Sequence, residues 1–449
     1  MFRRPPEIQK HIYFLVQKLR GEPVKEAWKE IKSIDHSDRN ALRKRIVDRG
    51  VSHLNYILNN VPKYMALKNR GRIISLLKKV STVEEFDDLL KGFPITHKRE
   101  IIENPENLTS REIDSIPVFG THSSGTTGQS VRFPKDMRDW ARSHANMFYI
   151  LSLYGINPFS PYIYYWAGDW SIKSRLEYLK KDIVLNRLRI TSYNTSKWYL
   201  LRQYRKILKF RPEYIYGIPS GITTLASYML NNGLKPPSKI RGVFTTGEML
   251  YPYQRKIISS AFNVPVVNIY GTAEVGVIAF DCPHGHLHVM TDTNYMEVID
   301  GGTILITNFF QKAFSIVRYR IGDIAASVLE WQHSCNLSYP TISGISGRES
   351  DRITLPHGKT LPPMAPTYIF DKIAHTRSVI KFRYELYKDE LILKLVVNSR
   401  FNERVKKLII SESERLFGIR PFIKIVESIP PLKGGKERYF VVMDKNHEA

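Results

Sequence analysis

The sequence predicts an α/β fold in which a large N-terminal domain precedes a small α+β domain. Between Pro158 and Gly276, short apolar runs typical of strands alternate with longer segments typical of helices, which indicates a sheet covered by helices. From Leu287 to Ile324 only strand-like runs occur, which indicates a β subdomain. A strand–strand–helix–strand pattern follows after about residue 350. We therefore expect a large domain over residues 1–350 and a small, mobile domain over residues 351–449.

Length and composition exclude several classes of protein. The 449 residues are 43% hydrophobic, which is enough to build more than one core. No apolar run approaches the ~20 residues that span a bilayer, and the first residues lack the apolar block of a secretory signal. A cytoplasmic protein without a transmembrane segment is therefore expected.

The chain is strongly basic. Its formal net charge is +24, which implies an anionic partner unless the excess charge is simply solvated. The basic residues are spread along the chain, with local clusters at Arg43–Arg49 and Lys68–Lys79. Neither cluster belongs to a recognisable nucleic-acid-binding module, so no nucleic acid is expected as a partner.

The first 80 residues predict a helical, basic extension of the large domain. Apolar residues recur at three- and four-residue spacing in Ser33–Ile57 and Val61–Leu77, as they do on amphipathic helices. Ser81 is followed three positions later by an acidic residue, which predicts a capping box at the start of the next helix.

The rest of the chain supplies the elements of both domains. In the α/β part we predict strands at Tyr162–Trp166, Tyr214–Tyr216, Gly242–Thr245 and Val266–Tyr270, and helices at Pro219–Asn231 and Tyr253–Ala261. In the β subdomain we predict strands at His288–Met290, Glu297–Ile299, Thr303–Thr307 and Ser315–Tyr319, with Gly301 and Gly302 in a hairpin turn. In the small domain we predict strands at Phe382–Tyr387, Glu390–Val397 and Phe422–Val426, and a helix at Asn402–Phe417.

One loop concentrates hydroxyl groups and glycines: Ser123, Ser124, Gly125, Thr126, Thr127 and Gly128. Glycines let a backbone approach an anion closely and adopt positive φ. Backbone N–H groups and hydroxyls can then surround a polyphosphate. No Gly-Lys-Ser/Thr closes the loop, so it is not a Walker A loop. A polar surface loop is the alternative interpretation when the segment is considered by itself.

Further motifs follow this loop in a fixed order: Thr245–Glu248, Tyr270–Glu274, Arg318–Asp323, Gly347–Asp351 and Lys433–Lys436. As an ordered set, together with the loop and Arg211–Ser220, they resemble the adenylate-forming superfamily of acyl-CoA synthetases. More specifically, the set resembles the phenylacetate–coenzyme A ligase-like branch, which includes relatives from capsular-polysaccharide biosynthesis. The resemblance extends from about residue 85 to the C-terminus.

The resemblance implies a ligase that uses ATP to convert a carboxylic acid into an acyl-adenylate, with release of pyrophosphate. It also implies catalytic roles for three residues. Glu274 would bind Mg²⁺, a cation that prefers carboxylate and phosphate oxygens. Arg348 would lie near the ribose and phosphate, and Lys436 would reach the carboxylate and the α-phosphate. Asp351 or its neighbours would form the hinge about which the small domain turns.

The same resemblance assigns the nucleotide-binding positions. The loop Ser123–Gly128 would hold the β- and γ-phosphates, Tyr270 would pack against adenine, and Asp323 would accept hydrogen bonds from the ribose hydroxyls. The remaining positions assigned to the nucleotide are Thr246, Gly247, Glu248, Gly271 and Thr272.

Three positions depart from the pattern of the family. Gly128 is followed by Gln129 and Ser130, where the family usually has lysine and proline, and Arg132 is the nearest replacement for that cation. Ala273 precedes the metal-binding glutamate where Thr or Ser is usual, and Thr272 stands one place earlier. This departure weakens the expectation of the family's usual hydroxyl contact to the α-phosphate. At the C-terminus, Lys433 competes with Lys436 for the catalytic role.

A second site is indicated by Cys282, His288, His333 and Cys335, which would give zinc a tetrahedral Cys₂His₂ set. Both cysteines of the chain lie in short segments that also contain histidine, and some members of the resembled branch carry Cys/His clusters at corresponding places. His284 and His286 are alternative ligands. The other interpretation is two buried cysteines with surface histidines. A zinc ion here would be structural.

The acceptor of the acyl group defines the competing functions. Coenzyme A is the first expectation. A second is an amide or ester ligase of the same fold, which would join the acyl group to an amine or a sugar. A third is a non-catalytic nucleotide-binding homologue, which Gln129 and Ala273 favour and the retained acidic and basic site residues oppose. The hypothesis of a nucleic-acid-binding protein has only the net positive charge in its favour. Aromatic residues in Tyr162–Trp166 and Tyr214–Tyr216 are candidates for lining an apolar acid pocket or belong to the core.

Overall fold

The computed structural model describes residues 3–34, 36–122, 132–166, 172–192, 196–376, 378–388, 390–430 and 438–443. The α-helices are α1 Pro6–Leu19, α2 Val24–Ser33, α3 Arg39–Asn60, α4 Pro62–Met65, α5 Arg70–Leu77, α6 Val83–Leu90, α7 Lys98–Glu103, α8 Met137–Leu153, α9 Ile172–Val184, α10 Lys197–Phe210, α11 Pro219–Asn231, α12 Pro252–Phe262, α13 Ala365–Ile373 and α14 Glu403–Phe417. The strands are β1 Val118–His122, β2 Arg132–Asp136, β3 Tyr162–Trp166, β4 Arg187–Thr191, β5 Tyr214–Gly217, β6 Gly242–Thr245, β7 Val266–Thr272, β8 Gly276–Asp281, β9 Leu287–Val289, β10 Asn294–Ile299, β11 Thr303–Asn308, β12 Tyr319–Ala325, β13 Thr341–Ile342, β14 Ile345–Arg348, β15 Ile353–Thr354, β16 Thr360–Leu361, β17 Val379–Tyr387, β18 Glu390–Val397, β19 Phe422–Ile425 and β20 Phe440–Val442.

The main sheet has eight strands in the order β13-β9-β8-β7-β6-β5-β3-β4. Neighbouring strands from β4 to β7 are parallel, and α9, α10, α11 and α12 connect them in turn. Each crossover helix returns the chain to the opposite edge, so the carboxyl ends of β3, β5, β6 and β7 meet at one edge. This alternation confirms the predicted α/β class.

The β subdomain is a four-stranded antiparallel sheet in the order β10-β11-β12-β14. Gly301 and Gly302, with φ of 73° and 81°, connect β10 to β11, as the hairpin prediction required. The predicted strand Ser315–Tyr319 is wrong, because the strand begins only at Tyr319. The Ser315 and Val317 amides donate to Leu108 O and Tyr64 Oη instead of to the carbonyls of a neighbouring strand. Arg318 has a φ of 49°, which is outside the extended conformation of a strand.

The N-terminal helices share one apolar core with the main sheet. Ile46, Leu54 and Phe86 are fully buried in the same cluster as sheet residues. The capping box of α6 exists, but Thr82 forms it rather than Ser81. The Thr82 hydroxyl accepts from the Glu85 amide at 3.2 Å, and the Glu85 carboxylate accepts from the Thr82 amide at 3.2 Å. The capping carboxylate is therefore that of Glu85, one position later than the predicted Glu84.

Residues after 351 build a separate apolar core. A four-stranded sheet in the order β19-β18-β17-β20 packs against α13 and α14. Asn402 begins α14 as its N-cap by accepting from the Val405 amide at 3.1 Å. Within the described residues, no helix is both long and apolar enough to cross a bilayer.

Candidate active site

The site lies at the carboxyl edge of the parallel strands. Thr246 and Gly247 follow β6, and Tyr270 lies near the end of the neighbouring strand β7. The Thr246 amide donates to the Gly217 carbonyl at the end of β5, at 3.0 Å. Three adjacent strand ends are thus joined where open α/β sheets bind their ligands.

Tyr270, Asp323 and Arg348 form one contiguous group. The Tyr270 hydroxyl donates to Asp323 Oδ2 at 2.7 Å, and Arg348 Nε lies 3.4 Å from Asp323 Oδ1. Asp323 and Arg348 are register partners across β12 and β14. Burial and the Asp323 carboxylate raise the pKa of Tyr270 well above its usual value, so the phenol stays protonated and donates. The main sheet and the β subdomain meet at this carboxylate.

Glu274 lies in the turn between β7 and β8 and is 9% exposed. Within the described part of the chain, its carboxylate oxygens accept no hydrogen bond and form no ion pair. The main-chain carbonyls of the same turn accept hydrogen bonds from side chains. Lys135 Nζ, at 3.3 Å, and Gln311 Nε2 donate to Glu274 O. The amides of Asn294 and Asn308 donate to Val275 O at 3.1 and 3.2 Å. The turn is therefore fixed by its backbone while its carboxylate stays available for a ligand.

Two glycines permit close packing at the site. At Gly271, any Cβ atom would collide with the Gly276 carbonyl across the β7–β8 hairpin. Gly247 has φ of 81°, and a Cβ there would lie 3.0 Å from the Trp166 ring. Thr272 also belongs to this region, where its hydroxyl accepts from the Val275 amide at 3.4 Å. Glu248 follows β6, and its carboxylate accepts from the Ser220 amide in the first turn of α11, at 3.2 Å.

Other predicted residues lie outside the described ranges. They are Ser123, Ser124, Gly125, Thr126, Thr127, Gly128, Gln129, Ser130, Lys433 and Lys436. The flanks of the first segment are close together, because β1 pairs antiparallel with β2 and places His122 opposite Arg132. Near the second segment, Arg438 forms an ion pair with the predicted hinge residue Asp351 at 3.3 Å.

Lys135 is a site residue that the sequence analysis missed. It lies in β2, directly after the segment 123–131, and is 5% exposed. Its ammonium group pairs with Asp139 at 2.6 Å, an i,i+4 partner on α8 that is 1% exposed. A lysine four residues before an aspartate was the available signal, but the partner carbonyls belong to residues more than a hundred positions away.

Aromatic residues line the same edge. Tyr164 stacks on Trp166 with ring centroids 5.3 Å apart and on Tyr216 at 6.2 Å. Burial raises the pKa of Tyr216 above its usual value, and the Trp166 ring lies beside Gly247. These rings therefore adjoin the predicted nucleotide positions.

The candidate metal centre lies at the other end of the main sheet. Ligand atoms of Cys282, His288 and Cys335 lie within 4.8 Å of one another, and the two sulfurs are 3.7 Å apart. His333 is not within this group, although its ring centroid is 5.0 Å from that of His288. Both imidazoles donate to the Tyr339 carbonyl, at 2.7 and 3.0 Å. Their other ring nitrogens, His288 Nε2 and His333 Nδ1, are buried without a partner among the described residues.

Comparisons with known proteins agree with this architecture. No protein-family profile matches the chain. The protein CapK of Staphylococcus aureus is 22% identical over 406 residues, which cover 86% of each chain. An indoleacetate–lysine synthetase of Pseudomonas savastanoi is 36% identical over 116 residues, 25% of this chain and 29% of that protein. A phenylacetate–coenzyme A ligase of Thermus thermophilus is 24% identical over 230 residues, 47% of this chain and 51% of that protein.

Solved structures show the same fold. A 2-hydroxyisobutyryl-CoA ligase, solved in the postadenylation state with an acyl-AMP, superposes with a TM-score of 0.68 at 19% identity and covers 89% of both chains. The likeness includes the small C-terminal domain. Taken together, the sequence relatives and the shared fold show that the chain is similar to adenylate-forming ligases, and in particular to phenylacetate–coenzyme A ligase and CapK.

Proposed function

We propose that the protein is an ATP-dependent ligase that converts a carboxylic acid into an acyl-adenylate and passes the acyl group to an acceptor. The observation that carries the proposal is the group Tyr270–Asp323–Arg348 beside the turn that holds Glu274. The Asp323 carboxylate can accept hydrogen bonds from a ribose, and the Arg348 guanidinium can pair with a phosphate. The Glu274 carboxylate, unpaired among the described residues, can bind a divalent cation. Relatives and structural neighbours that are named as acid–CoA or acid–amine ligases support the same reaction class.

The chain's own residues suit the attack of a carboxylate on a phosphate, in which two anions must approach each other. Asp323 pairs with Arg348, and the Tyr270 hydroxyl donates to the carboxylate of Asp323. We propose that Glu274 holds Mg²⁺, because its carboxylate is nearly buried and unpaired among the described residues. The ion would screen the phosphate charges. Ser123–Gly128 would hold the β- and γ-phosphates.

Coenzyme A is the acceptor that we propose first, because a phenylacetate–coenzyme A ligase and a 2-hydroxyisobutyryl-CoA ligase are among the similar proteins. An amine or sugar acceptor is the second candidate. The segment with the highest identity, 36% over 116 residues, matches an indoleacetate–lysine synthetase, and that enzyme's name joins an acid to an amine. ATP and reduced thiols are found in the cytoplasm, where we propose that the protein works.

We propose residues 351–449 as a mobile domain that brings Lys436 to the carboxylate and α-phosphate. The ion pair between Asp351 and Arg438 supports a hinge at this place, because it ties the first residue of the domain to the segment that follows Lys436. Tyr439 docks on the large domain, where its hydroxyl meets Tyr253 Oη at 2.9 Å and Gln254 Nε2 at 3.2 Å. Aromatic contacts accompany these hydrogen bonds, because the ring centroids of Tyr251 and Tyr439 lie 4.8 Å apart and those of Tyr253 and Phe382 lie 5.9 Å apart.

We propose that Cys282, His288 and Cys335 hold a structural zinc ion with His333 as the fourth ligand. Two sulfurs bound at about 2.3 Å with a tetrahedral angle are about 3.8 Å apart, close to the observed 3.7 Å. Both imidazoles donate one ring nitrogen to a main-chain carbonyl and leave the other buried without a partner among the described residues. This is the usual arrangement of metal-bound histidine.

ATP–pyrophosphate exchange across a panel of carboxylic acids tests the first half-reaction. We expect exchange with at least one acid, and an about hundredfold loss in a Glu274→Gln variant, as for other residues that stabilise developing charge. Glu106→Gln, which removes one carboxylate from the exposed surface, is the matched control. No exchange with any acid, together with no ATP binding, would contradict the proposal and favour the non-catalytic homologue. A subsequent screen of acceptors with the active acid separates coenzyme A from amines and sugars.

A further inference from the structure

The positive charge of the chain is concentrated in one part of the fold. Residues 183–247 contain eleven Lys or Arg residues and one acidic residue, Glu213. This stretch therefore carries a net charge of +10 out of the total of +24. The clusters Arg43–Arg49 and Lys68–Lys79, which stand out in the sequence, contribute less because acidic residues surround them.

Helix α10 carries the centre of this excess on its solvent side. The inner side chains, Leu200, Ile207 and Phe210, are at most 5% exposed and pack in the apolar core behind the sheet. The outer side chains include exposed Lys197, Arg202, Arg205, Lys206 and Lys209. No acidic residue occurs within the helix. We define these five residues, with Trp198 and Leu208, as the α10 face.

A neighbouring loop extends the charged surface. The Tyr204 hydroxyl of α10 donates to the Lys235 carbonyl at 2.8 Å, which ties the loop to the helix. Lys235 and Lys239 are both exposed. The nearest acid in sequence, Glu213, is half-buried and accepts from the Ser160 hydroxyl at 2.8 Å. The surface is thus broad and cationic.

Two large apolar side chains project among these cations. Trp198 is 67% exposed and Leu208 is 41% exposed, so this charged surface also offers apolar area to a partner. Arg202 lies over the Trp198 ring at 5.4 Å, so a guanidinium already occupies one face of the indole. A single-stranded nucleic acid would stack a base on such a ring. An exposed leucine beside the cations would contribute nothing to phosphate contacts, so the surface does not favour a nucleic acid.

We infer that the α10 face binds the surface of an anionic lipid bilayer. Clusters of Lys and Arg on a helix attract acidic headgroups, and tryptophan prefers the headgroup level of a membrane. The stretch from Lys197 to Lys209 is about 18 Å long. Because its apolar side packs in the protein core, we expect the helix to contact headgroups along its length through its charged outer side. The binding is peripheral, and it does not depend on the proposed ligase activity.

Vesicle co-sedimentation of the full chain tests the inference. The probes are phosphatidylcholine vesicles with and without one-third phosphatidylglycerol, at low and at physiological salt. We expect binding to the anionic vesicles, weakened by salt, and at least tenfold weaker binding to phosphatidylcholine alone. Brominated lipids should quench tryptophan fluorescence in the wild type and much less in Trp198→Phe. Equal binding to both kinds of vesicle, or to neither, would overturn the inference.

Two triple variants with the same net charge decide whether the α10 face is responsible. Arg202→Glu/Arg205→Glu/Lys209→Glu reverses the face, whereas Arg72→Glu/Lys78→Glu/Lys79→Glu reverses three exposed cations in and after α5. We expect at least tenfold weaker vesicle binding in the first variant and less than twofold change in the second. Equal losses would show a mere effect of net charge and reject the inference. Binding of an oligonucleotide that competes fully with the vesicles would reject it as well. Far-ultraviolet circular dichroism verifies folding of both variants.

Discussion

The Lys135 ammonium group lies behind the turn that carries the proposed metal ligand. It is neutralised by Asp139 and donates to the carbonyls of Ala273 and Glu274, at 3.5 and 3.3 Å. The sequence lacks the family's lysine after the glycine loop. Lys135 sits a few residues later and acts on the backbone of the Glu274 turn, so we regard it as a positioning residue.

Replacement of Lys135 by methionine should therefore affect both stability and Mg²⁺ use. Removal of one partner from a buried ion pair costs about 3–5 kcal/mol of unfolding free energy. In Lys135→Met/Asp139→Asn the unpaired charge is gone, and the amide oxygen still accepts from Asn308, which donates to Asp139 at 3.0 Å in the wild type. We expect the double variant to recover most of the stability measured by urea unfolding but to keep a raised Mg²⁺ requirement in pyrophosphate exchange. A normal Mg²⁺ requirement in the double variant would show that the lysine is only structural.

Tyr270→Phe should weaken nucleotide binding without unfolding the protein. The change removes the hydrogen bond to the Asp323 carboxylate, and bonds to charged groups contribute about 1.5–3 kcal/mol. We expect the KM for ATP to rise about tenfold in the exchange assay. Tyr295→Phe is the matched control, because it removes a 2.7 Å bond from a buried tyrosine to Asp87, a residue of α6 that belongs to none of the site motifs. A similar rise in KM in both variants would mean that the Tyr270 hydroxyl has no specific role.

At the scale of elements, the site depends on two hairpins that pack closely. The β7–β8 hairpin closes through Gly271 and Gly276, and a side chain at Gly271 has no room. The β8–β9 hairpin contains Cys282 and leads to His288, opposite the segment with Cys335. Each hairpin forms from residues that are close in sequence. The side chains that complete its ligand-binding group come from segments that are distant in sequence and are placed there by tertiary packing.

Gly271→Ala should lower the free energy of unfolding by more than 2 kcal/mol and abolish exchange, because the new methyl group displaces the β8 backbone. Gly71→Ala is the control, since a Cβ in helix α5 meets no atom within 4 Å. Alanine in a helix is favoured over glycine by about 0.5–1 kcal/mol, so this control should be slightly more stable. Chemical unfolding measures both changes. An active Gly271→Ala protein of normal stability would contradict the crowding at the hairpin.

The proposed zinc ion joins the edge of the main sheet to the segment before β13. Metal analysis of protein purified without chelator should find about one zinc per chain, and Cys335→Ser should lose it. Because thiolate binding requires deprotonation, and burial raises the pKa of the Cys282 thiol, acidification should release the ion. Thermal unfolding with and without chelator measures the stabilisation. An unchanged metal content in the Cys335→Ser variant would remove this cysteine from the ligand set.

At the scale of the whole molecule, a buried carboxylate joins the N-terminal helices to the rest of the large domain. Asp292 is fully buried, and its Oδ2 lies 2.8 Å from Arg49 Nη1 of α3 and 3.0 Å from Arg142 Nη2 of α8. The Tyr339 hydroxyl donates to its other oxygen at 3.0 Å. Burial opposes the negative charge of Asp292, but the arginines outweigh burial and lower its pKa to about 2.

This group makes stability depend on pH in the acid range. The folded pKa of about 2 lies below the ordinary value of 3.8, so the unfolded chain binds the proton first as pH falls. The contribution, about 2 kcal/mol, is fully present above pH ~4 and is lost as pH falls toward 2. Urea unfolding between pH 2 and 5 should show this loss in the wild type and a shallower one in Asp292→Asn. An unchanged pH dependence in the variant would place the acid-sensitive group elsewhere.

The sequence by itself determined much of this protein. Alternating apolar runs predicted the strands Tyr162–Trp166 and Glu390–Val397 with their exact ends, because hydrophobic periodicity is local. The order of the motifs indicated a resemblance to adenylate-forming enzymes, because each motif is a short run of residues that can be recognised locally. The segment Ser315–Tyr319 was misread because its amides bond to Leu108 and Tyr64, which are distant in sequence.

Only the tertiary structure decided which side chains meet. Asp323 contacts Tyr270 from another sheet, Lys135 reaches the Glu274 turn across more than a hundred residues, and the sulfurs of Cys282 and Cys335 approach to 3.7 Å. The physical reason is the same in each case: periodicity and capping act over a few residues, whereas close packing and buried charge depend on the topology that brings distant segments together.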